Sequence, residues 1–290
     1  MNLNRIGIWT GALDVQPARV AREAAASLED LGYGAIWFPE ALRREAFVNA
    51  TLLLTGTRRI VIATGIANIY ARDPVTMANG QRTLAEAFGD RFLLGLGVSH
   101  APAVGGRGHV YGRPVPTMRA YLDEMDRAQF QGVPPDQEPQ RVLAALGPAM
   151  LRLAARRSSG AHPYFVPVEH TARARELLGP DAFLAVEQAF VLERDPDRAR
   201  RIARRHTAGY LQAANYADNL RRLGYGDDDL AGGGSDRLVD DVVVWGPMDN
   251  LARRVQEHLA AGADHVCLQA LTADPGTLPW REWRAAAALL

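Results

Sequence analysis

A parallel (β/α)8 TIM barrel, read as one domain over 1–290, is the fold class the sequence predicts, on three observations. Short apolar runs alternate with longer amphipathic ones, the pattern of repeated strand–helix units. The short runs are apolar nearly throughout, as strands covered on both faces must be. The length of 290 residues suits a single barrel. A doubly wound open sheet is the competing architecture, but no G-x-G-x-x-G opens the first helix.

The elements follow in order. NRIGIW at 4–9 is the first strand, and 17–32 the first helix, opened by proline and closed by glycine. GAIWF at 34–38 leads into a helix at 41–56, and RIVIATGIA at 59–67 into one at 74–88. Asp73 is placed to cap that helix, with Pro74 in its first turn. RFLLGLG at 91–97 precedes a helix at 114–130, RVLAAL at 141–146 one at 148–158, and AHPYFV at 161–166 one at 168–178. FLAVEQAFV at 183–191 is followed by helices at 195–223 and 247–262, and DHVCLQA at 264–270 is the eighth strand. Two segments exceed a minimal barrel. The glycine- and proline-rich stretch 100–116 reads as a mobile loop after the fourth strand. The segment 206–240, between the seventh and eighth strands, carries an aromatic-dotted helix and reads as a lid or subunit contact.

Composition excludes several classes. The 33 basic residues, all arginine, equal the 33 acidic ones, so no net field draws the chain to nucleic acid or an anionic membrane. No window approaches about 18 uninterrupted apolar residues, and no basic-then-apolar leader opens the N-terminus. The single cysteine, Cys267, lies in the apolar run HVCLQAL and reads as a small buried hydrophobe. A cytoplasmic protein acting on a small molecule is the expectation.

Active sites of such barrels lie at the carboxyl ends of the strands, and polar residues recur there. Glu40 follows AIWFP, either as a helix-start carboxylate or as an acceptor toward a ligand. Gly65 and Asn68 interrupt the third strand and suggest a bulge or close backbone approach. Gly95 and Gly97 thin the fourth strand before Ser99 and His100. His100 is the candidate for proton chemistry, because imidazole titrates near neutrality. Gly147, Pro148 and Ala149 turn the fifth strand into a helix whose N-terminal amides suit an anion. Glu187 and Gln188, inside the seventh strand, add further polar groups. There is no G-x-S-x-G, H-E-x-x-H or P-loop, and the seven histidines show no metal-ligand spacing. Cofactor-assisted proton or hydride chemistry is what remains.

Five stretches together resemble the luciferase-like oxidoreductases, and within them the coenzyme F420 (deazaflavin)-dependent actinobacterial enzymes. They are LEDLGYGAIWFPEA, RRIVIATGIANIYARDPVTMANGQRTLAEAF, RFLLGLGVSHAP, VLAALGPAMLRLAA and VWGPMDNLARRVQEHLAAGADHVCLQAL. The resemblance covers nearly the whole chain. It implies a cis peptide at Gly65–Ile66 behind the cofactor ring, Ala67 and Asn68 flanking that ring, and Glu40 as the family's acid. It further implies Gly147, Pro148 and Ala149 as the phosphate turn, with Ala161 and His162 beside it, and a homodimer. Ser99 and His100 would face cofactor and substrate, with Gly95 and Gly97 making room in the barrel.

There are two departures. Ala41 stands where some relatives carry a catalytic histidine, and His100 stands where those have a glutamate. A sugar-phosphate dehydrogenase reaction is therefore not transferred. The expected function is hydride transfer between F420 and a small organic substrate, with His100 and Glu40 as catalytic groups. An FMN-dependent monooxygenase and a non-catalytic cofactor-binding barrel are the alternatives.

Overall fold

A computed structural model describes residues 3–290. The strands are β1 (Ile6–Trp9), β2 (Ala35–Phe38), β3 (Val61–Thr64), β4 (Ala67–Asn68), β5 (Phe92–Gly97), β6 (Arg141–Leu143), β7 (Gly160–Ala161), β8 (Phe183–Val191), β9 (Val243–Trp245) and β10 (His265–Ala270). All pairings are parallel, and β10 pairs with both β1 and β8, so the sheet closes on itself. The ring is an eight-stranded barrel, with β4 a continuation of the third strand beyond a break.

The helices are α1 (Ala18–Asp30), α2 (Ala46–Leu54), α3 (Pro74–Phe88), α4 (Ala101–Gly105), α5 (Pro114–Arg127), α6 (Pro148–Arg157) and α7 (Val168–Leu178). After β8 come α8 (Pro196–Leu211), α9 (Ala214–Arg222), α10 (Asp227–Leu230) and α11 (Asp236–Val242), then α12 (Met248–Ala260) and α13 (Trp280–Ala286). Local chemistry sets their starts. The Asp73 carboxylate accepts from Thr76 N at 3.0 Å and Asp195 from Arg198 N at 2.8 Å, which satisfies otherwise orphaned first-turn amides.

The structure corrects the sequence reading in several places. The helix expected over 195–223 is two, α8 and α9, broken at Gln212–Ala213. The stretch 100–116 begins with the short helix α4 and enters α5 at Pro114. β9 was not expected; it adds to Ala189–Val191 of β8 beside the ring. The strands expected over 141–146 and 161–166 stop at Leu143 and Ala161, because the chain then turns into the loops of the barrel mouth.

Alternation along each strand divides the apolar residues between two cores. Ile8, Ile36, Ile62, Leu94, Val186 and Leu268 pack outward with the helices. Trp37, Ala63, Leu93, Val142, Ala185 and Cys267 pack with one another inside the barrel. Small residues occur inside because large rings take the space. A Cβ on Gly7 would lie 2.6 Å from His265 Nε2, and the Trp37 indole stacks on His162 at 4.3 Å between centroids. Cys267 sits in this interior, fully buried and in register with Gly7 and Glu187.

Candidate active site at the carboxyl mouth

The third strand breaks between Thr64 and Ala67, and the Gly65–Ile66 peptide bond is cis. The two glycines of β5 lie against this bulge. A Cβ on Gly95 would fall 2.0 Å from the Thr64 carbonyl oxygen, and one on Gly97 would fall 2.5 Å from Ile66 Cδ1. The room that the glycine-thinned strand leaves is therefore filled by the bulge, not held open for a ligand. Thr64 reinforces the junction: its hydroxyl donates to Gly95 O and accepts from Gly95 N, both at 2.8 Å. A Cβ on Gly65 itself would meet Trp9 Nε1 at 2.6 Å and His162 Nε2 at 2.9 Å. Both nitrogens are buried without a hydrogen-bond partner.

Glu40 is almost completely enclosed, its side chain 3% exposed, and both oxygens are committed. Oε2 accepts from Asn68 N at 2.8 Å and from Arg72 Nη1 at 3.0 Å. Oε1 accepts from Ala46 N at 3.1 Å and from Arg72 Nη2. Glu40 thus ties the bulge to the start of α2 and neutralises Arg72, whose guanidinium lies over the Phe47 ring. Asn68 is equally occupied, its Oδ1 accepting from Tyr70 N at 2.9 Å. The Ala67 methyl packs in the outer core, so only its backbone can face the mouth. The Arg72 partnership was not foreseen; an enclosed acid at a strand end demands a cation, and that was the available signal.

Ser99 has φ 58°, a left-handed conformation, and its carbonyl accepts from the Tyr111 hydroxyl at 3.2 Å. His100 follows at the N-cap of α4. Its Nδ1 lies 3.1 Å from Asn215 Oδ1 on α9, which places a proton on Nδ1 and leaves Nε2 as an acceptor. Burial lowers its pKa, with the Asn215 bond acting in the opposite direction. The half of the 206–240 segment that carries Asn215 and Tyr216 is thereby folded over the mouth, with Tyr216 5.6 Å from the His100 ring.

At the end of the neighbouring strand β6, Gly147 is the N-cap of α6, and Pro148 and Ala149 are exposed. A Cβ on Gly147 would lie 3.6 Å from Arg222 Nη2. Among the described residues Arg222 has no carboxylate in ion-pair range. His170 beside it donates Nε2–H to Leu146 O at 2.9 Å, leaving a buried Nδ1 without a partner. Ala161 and His162 do not extend this turn. Ala161 packs outward, and His162 lies inside the barrel beneath Gly65, its Nδ1 3.0 Å from Ala185 O. Burial pushes the His162 pKa down to about 4.

The mouth is walled by an aromatic cluster. Tyr164 and Tyr210 hydroxyls are 2.9 Å apart, and Tyr164 donates to Gln269 Oε1 at 2.8 Å. Trp9, Phe165, His206 and Tyr216 pack around them. His206, Tyr210 and Tyr216 belong to the aromatic-dotted segment 206–240, but nothing in the sequence joins them to Tyr164 and Phe165, because the cluster is assembled from separate segments.

The sequence model of the luciferase-like monooxygenase family matches residues 2–265. A Mycobacterium tuberculosis protein, provisionally named as a coenzyme F420-dependent oxidoreductase, is 26% identical over 93% of this chain and 96% of its own. An F420-dependent secondary alcohol dehydrogenase, solved with an F420–acetone adduct, superposes with TM-score 0.78 at 14% identity, covering 100% of this chain and 98% of that one. The FMN-bound oxygenating constituent of 3,6-diketocamphane monooxygenase from Pseudomonas putida superposes with TM-score 0.69 at 15% identity, covering 99% of this chain and 96% of its own. With a closed parallel barrel under a family match that spans most of its length, this chain belongs to the luciferase-like monooxygenase family.

Proposed function

We propose that the protein is a coenzyme F420-dependent oxidoreductase that moves a hydride between the deazaflavin and a small organic substrate. The observation that carries the reading is His100, held by Asn215 with Nε2 left as an acceptor at the mouth beside the bulge. The overall similarity to F420 proteins supports it. The residues also fit a cofactor with an anionic tail. The α6 N-terminus and Arg222 offer donors and positive charge at one turn. When bound, the deazaflavin would supply the ring carbon that accepts or gives the hydride. Gly65, Ile66 and the Ala67 backbone would back the ring. Glu40 is a positioning residue in this scheme, since Arg72 and two backbone amides occupy its carboxylate. His100 Nε2 would take the substrate proton in oxidation or return it in reduction.

The test is titration of the purified protein with oxidised F420 and, separately, with FMN, read by fluorescence. F420 is expected to bind and FMN not; a preference for FMN would move the protein to oxygen-activating chemistry, and silence with both would leave a barrel without this cofactor. His100→Ala is expected to lower turnover about 100-fold while F420 still binds. Full turnover in that variant would remove His100 from the proton path. A homodimer, which the family resemblance implies, is checked by sedimentation of the same preparation.

A further inference from the structure

We propose that the cavity between the ends of β1, β2 and β10 and helix α8 is the substrate pocket, and that it takes an organic anion held by Arg43 and Arg205. The inference rests on the hydride-transfer reading for its meaning, but not for its test. The cavity measures about 520 Å³, within the range of small-molecule sites. Its walls are largely apolar, with Trp9, Leu42, Ile202, Tyr210 and Leu271 among them. Trp9 also lies against Gly65, so the cavity adjoins the bulge.

Its polar lining is lopsided in charge. Arg43 donates from Nη1 to Gly11 O at 2.6 Å, and Arg205 from Nη1 to Ala273 O at 3.1 Å. Among the described residues neither has a carboxylate within ion-pair distance. That contrasts with the same helix one and five residues earlier, where Arg204 pairs with Asp236, and Arg200 with Asp236 and Asp240. Asp14 is the one acid lining the cavity. It is buried on Asn49 Nδ2 at 2.8 Å, and burial raises its pKa to about 6, with Asn49, Arg43 and Arg44 opposing. His206 adds a buried Nε2 without a partner. Two arginines facing a mostly apolar chamber are suited to a carboxylate or phosphate, which guanidinium grips through paired N–H donors.

The experiment is calorimetric titration with benzoate, phenyl phosphate and benzamide in low salt, with F420 binding measured separately by its own fluorescence. Benzoate or phenyl phosphate is expected to bind at least about tenfold more tightly than benzamide, weakening as salt rises. The better of the two anions names the substrate's acidic group. Arg205→Gln and Arg43→Gln should each weaken anion binding about tenfold while leaving the melting curve and F420 binding unchanged, and Arg205→Lys should restore part of the loss. Equal binding of benzamide, no binding of any probe, or anion affinity untouched in the glutamine variants would overturn the proposal. Loss of F420 affinity in those variants would also overturn it, by assigning the arginines to the cofactor. Anion binding without F420 binding would sink the cofactor reading and leave the pocket standing.

Discussion

Acidification from pH 7 is expected to unfold this protein with a midpoint above pH 4, driven by histidines rather than by carboxylates. His162, His170, His258 and His265 are each 3% exposed or less. Burial, the largest cause in every case, lowers their pKa from 6.5 to about 4, and to about 3 for His258. The contacts show why a second proton is refused. His265 gives Nδ1–H to Asn4 O, so its Nε2 must accept from Trp37 Nε1–H at 3.2 Å. His258 gives Nε2–H to Gln188 Oε1, so its Nδ1 must accept from the Thr171 hydroxyl, each at 2.8 Å. An imidazolium at His265 would point a proton at the Trp37 N–H, which can only donate, and one at His258 would force the Thr171 hydroxyl to turn its own proton away.

The sign follows from linkage. These folded pKa values lie below the unfolded ones, so below pH 6.5 the unfolded chain binds protons that the folded one does not. Stability present at neutral pH is then lost as pH falls from 6.5 toward 4. Each histidine contributes about 1.4 kcal/mol per pH unit in that window, and four together about 5–6 kcal/mol per unit. That is comparable with the roughly 5–15 kcal/mol total stability of a domain. Asp14 and Glu187, whose pKa values are raised, offset part of the loss. A fluorescence and circular-dichroism titration from pH 8 to 3 checks this. A midpoint below pH 3.5, or uptake of fewer than two protons on unfolding at pH 5, would refute it.

Glu187→Gln should stabilise the fold, and more so at high pH. Glu187 lies inside the barrel, 2% exposed; Oε2 accepts from Phe165 N at 3.0 Å while Oε1 has no partner. Burial raises its pKa from 4.5 to about 8, the Phe165 amide only partly opposing. Here the folded carboxyl holds a proton that the unfolded chain gives up above pH 4.5, so the residue's cost grows with pH up to about 8. At pH 7 that cost is about 3 kcal/mol. Glutamine keeps an acceptor for Phe165 N and cannot ionise. The variant is expected to melt higher than the parent at pH 8, by little at pH 5, and to show a steeper acid limb because a compensating group is gone. A gain independent of pH, or a lower melting temperature at pH 8, would contradict the assignment.

The barrel strands were legible because strands covered on both sides are short apolar runs, and α3 because Asp73 and Pro74 mark its start chemically. β9 was not, since three residues at the end of α11 carry no period of their own. The break between α8 and α9 has no glycine or proline to announce it. Within the site, Glu40, the bulge and His100 stood out by type and place. What each does depended on partners remote in sequence: Arg72 for Glu40, Ile66 for Gly97, Asn215 for His100. His162 was misplaced for the same reason, because the loop after β7 turns its ring inward under Gly65 instead of toward the Gly147–Ala149 turn.

Cys267 gives the barrel a clock. Its thiol is the chain's one cysteine sulfur, enclosed between β1 and β8, and burial raises its pKa well above the ordinary value. A thiolate, the form that reacts, requires water to reach that place. Labelling by a thiol reagent therefore reports openings of the closed ring, with no background from a second cysteine.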